Sequence, residues 1–367
     1  MFSALIDRIS DFRNRRVADP AFRRFAARFP LTRPIARREA RALFDLTAGF
    51  VYSQILSACV RVDLFETLAR GPLDLQGVTA ATGLPADGAE RLLKAAAALD
   101  LVALRPGGRY ALGSLGAALV GNAGVTAMIR HHAILYGDLS DPVALLSGEG
   151  DPALSRYWTY AGGDRGSADH ADYTALMSAS QAFVTAEILD AYSLAGHRRL
   201  LDVGGGDGAF LIAAAKAAKS LDLMLFDLPP VAAIAAERIA AAGLSGRATI
   251  VGGSLFEDPL PAGADLVTLN RVLHDHDDPA ALAILKAIRA AIAPEGTLVV
   301  AEPMADTRGS KASGDAYFGF YLLAMGQGRP RTVAEITAML GEAGFGVVRE
   351  LSVNTPLIAR ILTARPR

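Results

Sequence analysis

Between Arg198 and the C-terminus, short apolar runs alternate with longer stretches whose apolar residues return every third or fourth position. The first pattern predicts buried strands and the second predicts amphipathic helices. Strands are expected near 199–204, 221–227, 247–253, 264–272 and 296–304, with helices over 209–218, 230–242, 278–292 and 332–343. Two further strands, 345–353 and 356–364, are separated only by a turn. Such alternation builds a Rossmann-like α/β domain, a mostly parallel doubly wound sheet, here with an antiparallel last strand.

Upstream the pattern becomes helical. Phe44 to Val60 reads as an apolar helix, followed by a short one around Leu64–Leu68. Leu75 to Thr82 then leads through Gly83-Leu84-Pro85 into Asp87 to Leu99, and Leu101 to Leu104 pairs with Arg109 to Leu112 across Pro106-Gly107-Gly108. This is a winged helix by pattern, a module that often binds DNA. Its second helix, Ala86 to Asp100, is acidic at the start and alanine-rich afterwards, so burial against another subunit is expected instead and no nucleic acid. Residues 121–195 read as mainly helical, with glycine breaks at Gly148-Glu149-Gly150 and Gly162-Gly163. The expected divisions are an arm over 1–41, a winged-helix dimerisation domain over 42–120, a helical linker and substrate region over 121–195, and a catalytic domain over 196–367.

Composition narrows the class. The 367 residues are 51% hydrophobic and 20% charged, which describes a soluble globular chain. Apolar runs meet charges or glycines well short of the roughly 18 residues a bilayer span needs, so no span is expected. The N-terminus lacks a signal-peptide core, and the lone Cys59 fits a reducing cytoplasm. No cysteine–histidine spacing suggests a metal.

Charge is unevenly spread. Residues 1–41 hold eleven arginines against four acids, a net +7, which leaves −8 for the rest of a chain whose total is −1. Phe12, Phe22, Phe25 and Phe29 interleave with these arginines. Two readings stay open: a peripheral contact with an anionic membrane surface, or a solvated or dimer-clasping arm.

Candidate chemistry begins at Leu200-Leu201-Asp202-Val203-Gly204-Gly205-Gly206-Asp207-Gly208-Ala209-Phe210, an apolar strand that turns through glycines into a helix. Glycine lets the backbone approach a nucleoside cofactor closely. Asp227, closing the next strand, is placed to hydrogen-bond both ribose hydroxyls. Gly204, Gly206 and Ala209 also satisfy a dinucleotide pattern, which leaves an NAD(P)-dependent oxidoreductase open beside a methyltransferase. Asp202 tilts the choice, since a carboxylate suits the cationic amino-acid end of S-adenosylmethionine and not a pyrophosphate.

Ligands of open α/β sheets sit beyond the carboxyl ends of the strands. There Gly252-Gly253-Ser254-Leu255-Phe256 can flank an adenine, and His274 can pair with Glu302 on the adjacent strand end. A carboxylate partner fixes the imidazole tautomer and raises the basicity of the other nitrogen. Asp277 and Asp278 are expected to cap the following helix.

Leu201-Asp202-Val203-Gly204-Gly205-Gly206, Phe226-Asp227-Leu228-Pro229, Leu273-His274-Asp275 and Ala301-Glu302 resemble the plant-type small-molecule O-methyltransferases, from the winged helix through the whole catalytic domain. The resemblance implies a class I methyltransferase fold, S-adenosylmethionine as cofactor, a homodimer through the N-terminal domain, and His274 as base. It places Gly204, Gly206 and Asp227 on the cofactor, Ser254 and Leu255 at its adenine, and Asn270, Met177 and Gln181 near its methionine end. The family pattern has lysine at Asn270, tryptophan at His276, Asp-Met at Ser254-Leu255 and a second glutamate at Pro330, so His274 is expected to rely on Glu302 alone.

Residues Pro30 to Arg38, Gly49-Phe50-Val51-Tyr52-Ser53-Gln54 and His131-His132-Ala133-Ile134-Leu135-Tyr136 look like the bacterial carotenoid O-methyltransferases. That similarity implies a hydrophobic small-molecule acceptor, the tertiary 1-hydroxyl of an acyclic carotenoid. A phenolic, polyketide or bacteriochlorophyll-type acceptor is the alternative. Its pocket would be lined by Phe318, Phe320, Tyr321 and Met325, with His131, His132 and Tyr136 nearby; ordinary helix packing is the competing reading for each.

Overall fold

A computed structural model describes residues 2–157 and 181–367. The chain divides into two compact units, Met1–Val120 and Gly121–Arg367.

The first unit opens with α1 (Phe2–Ala18), α2 (Pro20–Arg28) and α3 (Arg33–Arg61). Asp19 caps α2 by accepting the Ala21 N–H at 2.8 Å, and Pro20 and Pro34 sit in first turns, where a missing N–H is harmless. α4 (Leu64–Ala69), α5 (Leu75–Thr82) and α6 (Ala86–Ala98) follow. Asp74 caps α5 and left-handed Gly83 ends it, which creates the helix–turn–helix corner. β1 (Val102–Arg105) and β2 (Arg109–Leu112) form the antiparallel wing, and α7 (Ser114–Ala117) closes the unit. Leu64, Leu68, Val78, Leu93, Val102 and Cys59 are buried.

α3 differs from expectation in two ways. It starts eleven residues earlier than Phe44, because nothing between Pro34 and Asp63 breaks it. By length and composition it is also apolar enough to cross a membrane, although the sequence suggested no such segment. Asp45 and Gly49 are too few to lower its mean hydropathy below that of a span. Leu43, Phe44, Leu46 and Phe50 lie exposed along it.

The second unit begins with α8 (Ala123–Asp138), α9 (Pro142–Leu146) and α10 (Ala153–Tyr157). Asp138 holds the start of α10 by accepting the Ala153 and Leu154 N–H groups. A helix described over 181–191, α11, leads into the sheet. The strands are β3 (Arg199–Val203), β4 (Asp222–Asp227), β5 (Ala248–Gly252), β6 (Leu266–Asn270), β7 (Thr297–Glu302), β8 (Phe345–Leu351) and β9 (Arg360–Pro366). They lie in the order β5-β4-β3-β6-β7-β9-β8, with β9 antiparallel to both neighbours and the β5-to-β7 pairings parallel. The last strand therefore runs antiparallel as expected, but it starts at Arg360 instead of 356. Pro356 has no N–H to give a ladder, so the chain loops until Ala359.

Successive strand residues face opposite sides. Leu201, Val203, Val267 and Leu298 pack with α14 (Asp278–Ala291) and α16 (Val333–Glu342). Leu200, Leu223, Leu225 and Val299 pack with α11, α12 (Ala209–Ala217) and α13 (Pro229–Ala241). Period-two alternation with both faces apolar is what a doubly wound sheet requires. The carboxyl ends of β3, β4, β6 and β7 are thereby brought to one rim.

Candidate active site

The turn after β3 is built for close approach. Gly204 and Gly206 have φ of +66° and +57°. A Cβ on Gly204 would lie 2.7 Å from Val272 Cγ2, whereas one on Gly206 would point into open space. Asp227, buried at the end of β4, ties the turn down: its Oδ2 accepts the Gly206 N–H at 2.8 Å and its Oδ1 the Leu228 N–H at 2.7 Å. A carboxylate oxygen accepts two bonds, so these tethers orient Asp227 without exhausting it. Asp207 accepts the Ala209 N–H where α12 begins and pairs with Arg238 of α13.

Asp202 lies within β3, one residue before its end. It is 1% exposed and accepts the Thr268 hydroxyl at 2.6 Å and the Asn270 amide N–H at 3.1 Å. Burial pushes its pKa up to about 7, against the Thr268 hydrogen bond and with the Asp227 charge. Asn270, oriented in this way, leaves its Oδ1 buried without a partner; among the described residues Thr185 Oγ1 shares that condition. A buried acceptor beside an under-compensated carboxylate suits an ammonium or sulfonium ligand and disfavours a pyrophosphate. These residues fit S-adenosylmethionine.

Ser254 and Leu255 follow β5 and are both half-buried; Leu255 also packs against the core that Val251 touches. Phe256 next to them is exposed, and its ring meets His276 edge-on at 5.5 Å. Burial holds His276 uncharged, with a pKa lowered to about 4. Gln181 is half-buried on α11. Met177 lies outside the described residues.

The β6 end carries the most concentrated chemistry. Arg271 adopts φ +57°, a left-handed conformation uncommon for a non-glycine residue, and the chain then enters the short 3-10 turn Leu273–Asp275. Glu302, at the end of neighbouring β7, accepts the Val272 and Leu273 N–H groups through Oε1 at 2.9 and 2.7 Å. Its Oε2 lies 2.5 Å from His274 Nδ1. The sequence placed His274 with Glu302 alone, but Asp275 Oδ1 is 3.1 Å from the other ring nitrogen, Nε2. Burial pulls the His274 pKa down, yet Asp275 and Glu302 together outweigh it and raise the group above its ordinary value. Burial and the Glu302 charge raise Asp275 in turn. Asp277 and Asp278 make no side-chain cap on α14. Asp277 accepts the Gly328 N–H, and Asp278 accepts from Arg329 and Arg331.

An aromatic wall adjoins this turn. The π-helix Ala312–Phe318 runs into α15 (Gly319–Met325), and Phe318 stands edge-on to His274 at 6.0 Å. Tyr317, not singled out by the sequence reading, packs against Phe318 at 5.0 Å and bonds His132 Nε2 through its hydroxyl at 2.7 Å. His131 Nε2 bonds the Tyr321 hydroxyl at 3.0 Å, and Tyr136 meets the His132 ring. Burial lowers His131 to about 4, lowers His132, and raises Tyr317 to about 12, so the wall is uncharged near neutral pH. Phe320 is half-buried. Met325 is buried and packs with Leu135, Leu154, Tyr321 and Leu322.

Comparison with known proteins matches residues 136–346 to the O-methyltransferase domain and residues 44–122 to the O-methyltransferase dimerisation domain. The exposed apolar part of α3 thus opens the dimerisation domain. Demethylspheroidene O-methyltransferase of Cereibacter sphaeroides is 44% identical over 346 residues, 94% of this chain and 91% of that protein. Its counterpart in Rhodobacter capsulatus is 41% identical, over 92% of this chain and 85% of that one. Among solved structures, human N-acetylserotonin methyltransferase in complex with SAM superposes with a TM-score of 0.73 at 26% identity, covering 89% of this chain and 97% of that one. The glycine turn, the orphaned acceptor and the His274–Glu302 pair therefore belong to a chain of the S-adenosylmethionine-dependent O-methyltransferase family.

Proposed function

We propose that the acceptor is the tertiary 1-hydroxyl of an acyclic carotenoid and that His274 is the general base of the transfer. The observation carrying this reading is an imidazole held at Nδ1 by Glu302 beside an uncharged aromatic wall. The demethylspheroidene O-methyltransferases that resemble the chain over nine-tenths of its length support the same acceptor.

S-adenosylmethionine, when bound, supplies an electrophilic methyl group. Gly204, Gly206 and Asp227 would hold its nucleoside, with Ser254 and Leu255 at the adenine. Asn270 Oδ1, with Gln181 and Met177, would take its methionine end. His131, His132, Tyr136, Phe318 and Tyr321 would line the acceptor, keeping water away from its hydroxyl. His274 would receive the hydroxyl proton at Nε2, where the acceptor hydroxyl takes the place of Asp275 Oδ1, while Glu302 steadies the imidazolium through Nδ1. A tertiary alcohol is far less acidic than imidazolium, so proton transfer to His274 would have to accompany methylation of the oxygen, in which the methyl–sulfur bond breaks and the thioether leaves. Holding oxygen, carbon and sulfur in line supplies effective molarities of about 10⁵ M or more. Proton removal adds roughly 10²–10⁴-fold.

The dimerisation domain makes a homodimer the working unit, and we propose a cytoplasmic enzyme in peripheral contact with the membrane that dissolves the acceptor. The test incubates the protein and His274→Ala with labelled S-adenosylmethionine, hydroxycarotenoids and phenols. The expected outcome is label on the carotenoid ether, lost in the variant while calorimetric cofactor binding persists. Label only on phenols removes the carotenoid acceptor; an active variant removes His274 as base.

A further inference from the structure

We propose that Arg331 is a positioning residue for His274, a clamp that fixes the peptide carbonyls on both sides of the base. The inference rests on His274 acting as the base.

Arg331 is only 2% exposed and is among the largest fully buried side chains of the protein. Its guanidinium sits against the turn that carries His274. Nη1 donates to the Leu273 carbonyl at 2.5 Å, and Nη2 donates to the His276 carbonyl at 2.6 Å. Nε and Nη2 also donate to Asp278 Oδ1 at 2.9 and 2.7 Å. Leu273, the residue before the base, is therefore held at both its backbone groups, its N–H by Glu302 and its carbonyl by Arg331. A planar fork with fixed donor directions can hold two carbonyls and a carboxylate at once, which a lysine ammonium on a flexible stem cannot.

The neighbouring backbone follows the same plan. Gln327 donates to the Asp275 carbonyl and the Gly328 N–H to Asp277. Gly328, at φ +81°, passes so close that a Cβ there would lie 2.2 Å from the His274 carbonyl oxygen. Arg331 in turn accepts the Ala305 N–H through its own carbonyl, just beyond the strand that ends in Glu302. The segment 327–331 is thus a strap across the turn of the base, tied to the strand of its carboxylate partner. Pro330 within it offers no side-chain donor or acceptor. Displacing a reacting group by about 1 Å lowers turnover by about 10²-fold, so fixing this turn is a catalytic requirement and not merely a matter of folding.

The test is Arg331→Lys, which keeps the charge and loses the fork, alongside Asp278→Asn. The second variant leaves both Arg331–carbonyl bonds in place and weakens the anchor of the guanidinium together with the Arg329 pair, at a carboxylate side chain that is 54% exposed. Turnover, the acid limb of its pH profile, KM, calorimetric cofactor affinity and melting temperature are measured on the full-length protein. The expected result is a kcat about 10- to 100-fold lower in Arg331→Lys, with a displaced acid limb and with KM and cofactor affinity within about twofold. Asp278→Asn is expected to move kcat and the limb less, in the same direction. Unchanged kcat and pH profile in a folded Arg331→Lys overturn the clamp, as does a loss of kcat matched by loss of cofactor affinity. If Arg331→Lys does not fold, an unchanged profile in Asp278→Asn overturns it instead. His274→Ala separates the two readings: activity there removes the base, whereas inactivity there with unaffected Arg331→Lys removes only the clamp.

Discussion

The two ring nitrogens of His274 both meet carboxylates, and for the proposed base this sets the pH at which it can work. A base must be neutral to accept a proton. Burial alone would keep His274 neutral, but Asp275 and Glu302 raise its pKa above the ordinary 6.5. Activity should therefore fall as pH drops through a value above 6.5. The log of kcat against pH gives the limb directly, and a midpoint below 6.5 contradicts the electrostatics described here. His131 and His132 show the opposite case at the same scale. Tyrosine hydroxyls meet their Nε2 atoms, burial is the largest influence, and both remain uncharged. One residue type is thus raised in basicity where carboxylates surround it and held uncharged where burial dominates.

At the scale of elements, the glycine turn and the π-helix do the positioning. Gly206 is the telling position in the turn, since its left-handed backbone strains any other residue by about 1–2 kcal/mol while no protein atom blocks a Cβ. Gly206→Ala is expected to fold with a modest loss of melting temperature and to bind S-adenosylmethionine about tenfold more weakly. Equal affinity in calorimetry would mean that the cofactor does not pass this face. The π-helix Ala312–Phe318 carries Tyr317 to His132 and Phe318 to His274. Such single wide turns gather at functional sites. Glycine positions were legible because a strand, a glycine run and a helix leave little choice of turn. Tyr317 was not, because a widened helical turn leaves no periodic mark and shifts which residues share a face.

The whole molecule sets an arginine-rich N-terminus against an acidic remainder. Leu5, Ile6, Ile9, Phe12, Phe25 and Phe29 are exposed among those arginines. Cationic amphipathic helices of this kind bind anionic bilayers, with roughly 1 kcal/mol for each basic residue at the surface. Removing residues 1–41 should lower association with anionic liposomes in low salt, an effect that fades as ionic strength rises. Undiminished sedimentation with vesicles assigns the apolar face to a second copy of the chain instead. The acceptor assay must then be read with the dimerisation domain intact, since α3 runs from the arm into it.

The sequence by itself determined the sheet, its antiparallel last strand, the winged helix, the glycine turn and the rim on which His274 meets Glu302. Each of these follows from local periodicity, from residues that turns demand, or from the rule that strand ends meet at one edge. Only the tertiary structure decided what each polar group does once there. It sent Asp202 to Thr268 and Asn270, set Asp275 on the second nitrogen of His274, and withdrew Asp277 and Asp278 from helix capping to anchor the strap over residues 327–331. It also buried Met325 in the helical core and laid Arg331 across the turn of the base. The partners in those contacts are mostly fifty or more residues apart. A side chain's hydrogen bonds depend on which distant groups the packed sheet and helices deliver to it, and no local pattern encodes that delivery.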